Sequence, residues 1–377
     1  MTYTYISTQD ALDCLATKLS QEKPTNLSVD TEFVRKTTYW PKLCLIQLCF
    51  SGQTYIIDAL SKIDLTPLKP CFDDKTIRKI FHSGRQDVEI FYRLWGVMPK
   101  NIADTQILGM VTGFGESVSY EKLCDATLRK KLDKSQQHTD WGKRPLSQRQ
   151  LDYAATDVVD LEKIYEKLVK RAGKKADYIE EELQWLSSEE TYKCDTDAAW
   201  EKIRVRGPKK ALFWGRLKSL ATAREEVAIE TNTARGHIVK DDILIQLADM
   251  KEAPVKKIKD SGVQSASLAE KLSAAFESGL PFEKEKPIKL NKAQDQLIDL
   301  MKVFLKATAD DLHIAPKLLG TKTQITEFVL NPSTSPLLAG WRLDLFGQVA
   351  KNLIEGKAAL AFDPSKNGIT THEINQS

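Results

Sequence analysis

The feature that most constrains the fold is an apolar, strand-like run that carries two carboxylates. In Leu27-Ser28-Val29-Asp30-Thr31-Glu32-Phe33, Asp30 and Glu32 stand two residues apart, so both side chains project from one face of a strand. Two carboxylates about 4 Å apart repel each other by on the order of 4 kcal/mol at an effective dielectric of about 20. A fold tolerates this when the face meets solvent, or when a cation lies between the two groups. The strand alone leaves both alternatives open.

The rest of the first half predicts α/β alternation. Three β-rich runs joined by turn residues are typical of an antiparallel meander. A buried strand, a helix, a short strand and a long helical region follow, and after Trp200 only amphipathic helical patterns are recognisable. We therefore predict an α/β domain with a mixed sheet flanked by helices, followed by an all-α region. The strand-like runs are 27–33, 43–50, 54–59, 78–82 and 102–104, and the helical runs are 87–95 and 146–171.

The length of 377 residues predicts two or three domains. Composition shifts and prolines place the boundaries at 1–190 for the α/β domain, 191–207 for a linker, and 208–285 and 286–377 for two helical domains. Residues 225–229 resemble residues 310–314, but the match is too short to establish a repeat. We expect removal of residues from Pro208 onward to leave a folded domain.

Composition excludes several classes of protein. The fractions of 28% charged and 42% hydrophobic residues are typical of globular rather than disordered chains. Six cysteines without a C-x-x-C pair predict reduced thiols and no zinc site. Because a signal peptide and an apolar run of roughly 18 residues are both absent from the sequence, we expect a cytoplasmic protein with no membrane partner. The oligomeric state is not fixed by the sequence, and a monomer is the default expectation.

Two further carboxylates stand where α/β folds place functional groups. Tyr153 precedes Asp157 by four residues, which puts phenol and carboxylate on one helix face. Ala154 and Ala155 would let that helix lie close against a sheet. Asp87 follows a buried strand-like run at a strand-to-helix junction. Each has a structural alternative: packing for Tyr153, solvent exposure for Asp157, and a favourable helix dipole for Asp87.

In this order the motifs resemble the DEDD exonucleases, a family with an RNase H-like catalytic fold. The tail and the segment between the last two motifs are similar to the ribonuclease D branch. The resemblance covers essentially the whole chain, and the combination is more specific than any single motif. The matching segments are Val29-Asp30-Thr31-Glu32-Phe33, His82-Ser83-Gly84-Arg85-Gln86-Asp87, Ile102-Ala103-Asp104-Thr105, Asp133-Lys134-Ser135, Thr139-Asp140-Trp141, Tyr153-Ala154-Ala155-Thr156-Asp157 and Gly340-Trp341-Arg342.

The resemblance implies a role for each matching position. Four carboxylates would coordinate two divalent ions, Mg²⁺ or Mn²⁺, and Tyr153 would position or activate the attacking water. One branch of the family has a histidine five residues before the last aspartate. That position here is Asp152, so the chain resembles the tyrosine branch. Asp104 and His82 are expected to support the site without binding metal. The four expected ligands are Asp30, Glu32, Asp87 and Asp157.

A basic run indicates where RNA binds. Between Lys202 and Arg224 eight Lys or Arg residues occur without an Asp or Glu. A solvated helix face is the usual interpretation of such a run. The segment also resembles the start of an HRDC (helicase and ribonuclease D C-terminal) domain, which implies phosphate contacts. The residues expected to bind RNA are Lys202, Arg204, Arg206, Lys209, Lys210, Arg216 and Lys218.

The resemblance thus implies a 3′→5′ exoribonuclease that releases 5′-mononucleotides by two-metal-ion hydrolysis, with tRNA precursors as partners. Two alternatives remain. The first is a DNA-directed 3′→5′ exonuclease of the same catalytic class, because a metal site contacts phosphate and does not read the sugar. The second is a non-catalytic nucleic-acid-binding adaptor. The complete set of four carboxylates plus Tyr153 argues against the adaptor.

Overall fold

A computed structural model describes residues 2–133, 135–137, 139–284 and 289–374. Its first 200 residues contain one six-stranded mixed sheet with helices on both faces. The strands are β1 (Thr4–Ile6), β2 (Asn26–Val34), β3 (Lys42–Phe50), β4 (Gln53–Asp58), β5 (Arg78–Phe81) and β6 (Ile102–Asp104). The helices of this part are α1 (Gln9–Glu22), α2 (Lys69–Asp73), α3 (Arg85–Trp95), α4 (Thr105–Met110), α5 (Tyr120–Leu128), α6 (Gln148–Val159), α7 (Leu161–Ala172) and α8 (Glu180–Ser187).

The sheet order is β1-β4-β3-β2-β5-β6. Strands β2, β3 and β4 form the predicted antiparallel meander, whereas β5 and β6 run parallel to β2. Residues 44–50 of β3 are all buried because helices cover both faces of the sheet, which explains their continuous apolar sequence. The carboxyl ends of β2, β5 and β6 therefore meet at one edge, where α/β folds place functional side chains.

The remaining chain is largely helical, and the fold class predicted from the sequence is confirmed. Its first helical unit (199–284) contains α9 (Ala211–Glu230), α10 (Arg235–Ile238), α11 (Asp241–Ala248), α12 (Val255–Asp260) and α13 (Ala266–Ser278). Its second helical unit (289–374) contains α14 (Lys292–Leu312), α15 (Pro316–Leu319), α16 (Lys322–Leu330), α17 (Gly340–Arg342) and α18 (Gln348–Ile354). Across the part of the chain that the structure describes, every helix is too short or too polar to cross a bilayer.

The expectation of an all-α region is wrong at its end. Strands β7 (Ala358–Asp363) and β8 (Gly368–Glu373) form an antiparallel hairpin. The missed signal is Asn367-Gly368, where the four-residue turn 364–367 meets β8 and Asn367 adopts a positive φ of 49°, which Asn tolerates. The helical run predicted at 146–171 also differs, because it divides into α6 and α7 at Asp160.

The two helical units pack differently. The first unit has a core of its own that runs from Ala199 to Phe276. The second unit shares one core with the α/β domain, in which Met110, Leu123 and Ile164 belong to the same cluster as residues 298–358. The predicted domain limits stay predictions, and the limit at 285/286 lies outside the described residues. We predicted from the sequence that removal of all residues from Pro208 onward leaves a folded domain. The shared core argues against this prediction, because the removal would expose one side of that core.

Deleting residues 289–377 is therefore expected to lower stability markedly. The deletion exposes large apolar side chains that are now buried, including Met110 and Leu123, and each such side chain contributes roughly 1.5–3 kcal/mol. Thermal melting and urea denaturation of the 1–288 fragment would measure the loss. A fragment that melts at the wild-type temperature would show that the shared core contributes little.

Candidate active site

Carboxylates from β2 and α6 converge at the carboxyl edge of the sheet. Asp30 and Glu32 point from one face of β2. Helix α6 packs across β2, β3 and β4, and its residues Ala154 and Ala155 are fully buried. This close approach brings Asp157 to the strand. One oxygen each from Asp30, Glu32 and Asp157 lies within 4.8 Å of the others.

The fourth predicted ligand, Asp87, lies outside the group of three carboxylates that converge within 4.8 Å. It occupies the first turn of α3, is 6% exposed and accepts a hydrogen bond from the Thr31 hydroxyl. Thr31 lies between Asp30 and Glu32 on β2, so this bond ties α3 to the carboxylate strand. The negative charge of Asp87 contributes to the raised pKa values of Asp30 and Glu32.

Burial and mutual repulsion make these carboxylates difficult to ionise together. Burial raises the pKa of Glu32 to about 9, with Asp157 and Asp87 adding to the effect. Burial likewise raises the pKa of Asp157 to about 7 and that of Asp87 to about 6, although hydrogen bonds from Tyr153 and Thr31 oppose these shifts. The pKa of Asp30 is also raised, first by burial and then by its charged neighbours.

A divalent cation fits this set of residues. All the converging donors are hard oxygens, which Mg²⁺ and Mn²⁺ prefer. A cation among them would also offset the repulsion that raises the pKa values of Asp30 and Glu32.

Tyr153 adjoins the carboxylates on α6. Its hydroxyl is hydrogen-bonded to Asp157, and burial together with the nearby charges raises the pKa of Tyr153 above its ordinary value. The phenol is therefore neutral near pH 7. The buried Trp141 ring lies 6.1 Å from the Tyr153 ring, between centroids, and restricts where the ring can move.

A strap formed by residues 139–147 fixes the start of α6. The Arg144 guanidinium donates from Nε and Nη2 to both Asp58 oxygens at 2.6 Å, and also to the carbonyls of Cys44, Trp141 and Lys143. All five of its N–H donors are thus used. Burial opposes ionisation of Asp58, but the hydrogen bonds from Arg144 hold the pKa of Asp58 below its usual value. The strap holds the helix that carries Tyr153 and Asp157 against β3 and β4.

The turn after β5 is held by Asp104. Its carboxylate accepts from the backbone N–H of Ser83 at 3.1 Å and of Gly84 at 2.8 Å, and it caps α4. His82 Nδ1 lies 2.9 Å from the Thr105 hydroxyl oxygen. Asp104 therefore supports the turn that leads to Asp87.

Asp30, Glu32 and Asp157 line a cleft of about 400 Å³. Its other wall is uncharged and polar, formed by side chains that the motifs did not single out. The only sequence signal for them is the hydroxyl-rich segment 117–120, which has no recognisable spacing. The residues missed in this way are Gln106, Ser117, Ser119, Tyr120 and Gln137.

The basic run at 202–224 is only partly available to a ligand. Lys209 pairs with Asp249 at 3.0 Å, and Arg216 donates to the Met250 carbonyl at 2.6 Å. Arg224 is buried. RNA binding by the run stays a prediction, which concerns mainly its exposed members Lys202, Arg204, Arg206 and Lys210.

Metal-free stability is expected to depend on Glu32 at high pH. Because the folded pKa of about 9 exceeds the ordinary 4.5, folding retains a proton that the unfolded chain releases, so stability falls as pH rises through this interval. Glu32→Gln removes the contribution of this carboxylate to the pH dependence, and those of Asp30, Asp87 and Asp157 remain. Its melting temperature should exceed that of wild type by a margin that grows to several degrees between about pH 5 and pH 8. Glu277→Gln, an exposed change on α13, is the control, and a margin independent of pH would contradict the expectation.

Comparison with known proteins shows which family the chain resembles. Residues 3–172 match a family model described as a 3′-5′ exonuclease. The chain is 36% identical to ribonuclease D of Bartonella henselae, over 92% of this chain and 89% of that protein. It is 33% identical to ribonuclease D of Gluconacetobacter diazotrophicus, over 96% and 95% of the two chains. The crystal structure of Escherichia coli RNase D, an exoribonuclease involved in structured RNA processing, superposes with a TM-score of 0.76 at 28% identity, covering 94% of this chain and 99% of that one.

Proposed function

The chain belongs to the ribonuclease D family and is a 3′→5′ exoribonuclease, and from that premise we propose that it trims RNA 3′ ends at the cleft lined by residues of β2, α5 and α6. The observation that carries the proposal is the convergence of Asp30, Glu32 and Asp157 within 4.8 Å. Such a group of carboxylates is unfavourable without a cation and suited to phosphoryl chemistry with one.

Asp30, Glu32 and Asp157 would hold two divalent ions, with Asp87 completing the set from α3. When bound, Mg²⁺ or Mn²⁺ supplies stabilisation of the attacking and leaving oxygens in an in-line displacement. The protein holds the four carboxylates in place through the Thr31 bond to Asp87 and the packing of α6 on the sheet.

Tyr153 would orient the attacking water. Its raised pKa makes it a poor general base, because a neutral phenol cannot take up a further proton near pH 7. Its hydroxyl can still hold a water molecule in position while its bond with Asp157 fixes the direction of its proton. Products of this reaction are 5′-mononucleotides.

The polar, uncharged wall of the cleft suits the terminal nucleoside, and tRNA precursors with 3′ extensions are the proposed substrates. The proposed location is the cytoplasm. A precursor with a short 3′ trailer, incubated with Mg²⁺ or Mn²⁺, should shorten to the mature end. The same RNA with a 3′-phosphate should resist, because the described residues that line the cleft include no Lys or Arg to pair with a charged end.

A DNA-directed exonuclease is the second candidate, since the carboxylates contact phosphate and not the sugar. Degradation rates of RNA and DNA oligonucleotides of the same sequence distinguish an exoribonuclease from a DNA-directed exonuclease. We expect the RNA to be degraded faster. Faster degradation of the DNA would overturn the assignment of RNA as substrate.

A further inference from the structure

The connection between α5 and α6 is strongly basic. Residues 129–149, which comprise this connection and the first two residues of α6 and are named here the α5–α6 segment, contain seven Lys or Arg residues and two Asp, a net charge of +5 that exceeds the +3 of the whole chain. The basic residues are Arg129, Lys130, Lys131, Lys134, Lys143, Arg144 and Arg149.

This segment borders the active site. Gln137 lines the same cleft as Asp30 and Tyr153, and Trp141 is buried next to the Tyr153 ring. The segment also contacts the first turn of α6, because Gln150 Nε2 donates a hydrogen bond to the Thr139 hydroxyl at 3.2 Å. Lys130 pairs with Asp160, which precedes the cleft residue Leu161, so residues 129–131 also lie near the cleft.

Part of the positive charge serves the fold. Lys130 pairs with Asp160, and Arg144 is fully engaged by Asp58 and three carbonyls. By contrast Arg129, Lys131 and Lys143 are exposed, and none of the three pairs with a carboxylate among the residues that the structure describes. Their charges are therefore available to a ligand.

The strap fixes the position of Lys143. With every donor of Arg144 bonded and Trp141 3% exposed, the backbone on both sides of Lys143 is anchored to β3 and β4. A fixed backbone lowers the entropy lost when cationic side chains bind a ligand.

Because the cleft is acidic, RNA needs a positively charged surface nearby to be attracted to it. Four carboxylates repel a polyanion, and bound divalent ions would neutralise them without adding long-range attraction. We propose that Arg129, Lys131 and Lys143 bind the sugar-phosphate backbone of single-stranded RNA just behind its 3′-terminal nucleotide. This inference rests on the proposed function, and the surface is separate from the basic run at 202–218.

The test uses the full chain carrying Asp157→Asn, which prevents hydrolysis, and a fluorescent single-stranded RNA. Binding is measured by anisotropy between about 50 and 300 mM salt for this protein and for a triple variant with Arg129→Gln, Lys131→Gln and Lys143→Gln. Because each phosphate contact on a single strand contributes about 0.7 to the slope of log affinity against log salt, the triple variant should lose about 2 from the slope. Its affinity at the lowest salt should fall by roughly tenfold or more.

A matched control removes the same charge at the opposite end of the sheet. Lys23, Lys75 and Lys100 are exposed and precede β2, β5 and β6, so they lie at the amino ends of strands whose carboxyl ends form the site. Their triple change to Gln should leave the slope unaltered. Thermal melting confirms that each variant is folded.

Equal slopes for the Arg129/Lys131/Lys143 variant and its parent would overturn the proposal, as would an equal loss in the control. Unaltered RNA binding together with lost binding to phosphatidylserine vesicles would instead identify a lipid surface and also overturn it. Hydrolysis of RNA by the wild-type protein is measured in parallel. Its absence would refute the proposed function, whereas active enzyme with equal slopes would refute this surface alone.

Discussion

Asp157→Asn is expected to abolish RNA hydrolysis, with a rate more than about 10³-fold below wild type. The change replaces one of the three carboxylates that converge within 4.8 Å with a neutral amide, which is a weaker ligand for a divalent ion. It also removes a negative charge that raises the pKa of Asp30 and Glu32. The metal-free variant should therefore melt at or above the wild-type temperature, and Mn²⁺ should stabilise it less than it stabilises wild type.

Asp152→Asn is the matched control on the same helix. Asp152 accepts a hydrogen bond from Gln148 at 3.2 Å, away from the carboxylate group. Its substitution should leave both activity and the Mn²⁺ response near wild type. Activity of Asp157→Asn within about tenfold of wild type would remove Asp157 from the proposed metal site.

Tyr153→Phe should lower kcat by roughly 10²-fold or more, the range for losing a positioned proton-transfer group, with little change in RNA affinity. The ring would still pack against Trp141, whereas the hydroxyl that orients water and bonds Asp157 would be lost. Steady-state rates and anisotropy titrations measure the two quantities separately.

Tyr178→Phe controls for the loss of a phenol elsewhere, because Tyr178 stacks on Trp341 in the second helical unit at 4.3 Å between centroids. Its kcat should match wild type. An unchanged kcat for Tyr153→Phe would leave Tyr153 with a packing role only and would contradict the proposed orientation of water.

The local parts of the fold follow from sequence patterns. The continuous apolar residues of β3 and the carboxylates two apart on β2 predict buried strands with one functional face, and the structure has both. Asn367-Gly368 carried an equally local hairpin signal. It was missed because β7 is short and rich in alanine, a residue that favours helices.

Long-range packing could not be predicted in the same way. Periodicity shows that α14 has an apolar face but not that this face shares a core with α4 and α7. The sequence also does not show which basic side chains are free to bind a ligand. Lys209 and Arg216 belong to the same basic run as Lys202, but in the structure Lys209 pairs with Asp249 and Arg216 donates to the Met250 carbonyl. Which charges are free depends on contacts between residues distant in the chain.

The proposed removal of nucleotides from RNA 3′ ends by the carboxylate cleft requires divalent ions. It is tested most directly by incubating a 5′-labelled single-stranded RNA with wild-type protein in Mn²⁺ and following the products over time. The predicted result is a ladder that shortens one nucleotide at a time from the 3′ end with release of 5′-mononucleotides, and that is absent in EDTA and with Asp157→Asn. Internal cleavage, or shortening that persists in EDTA or with Asp157→Asn, would contradict the claim.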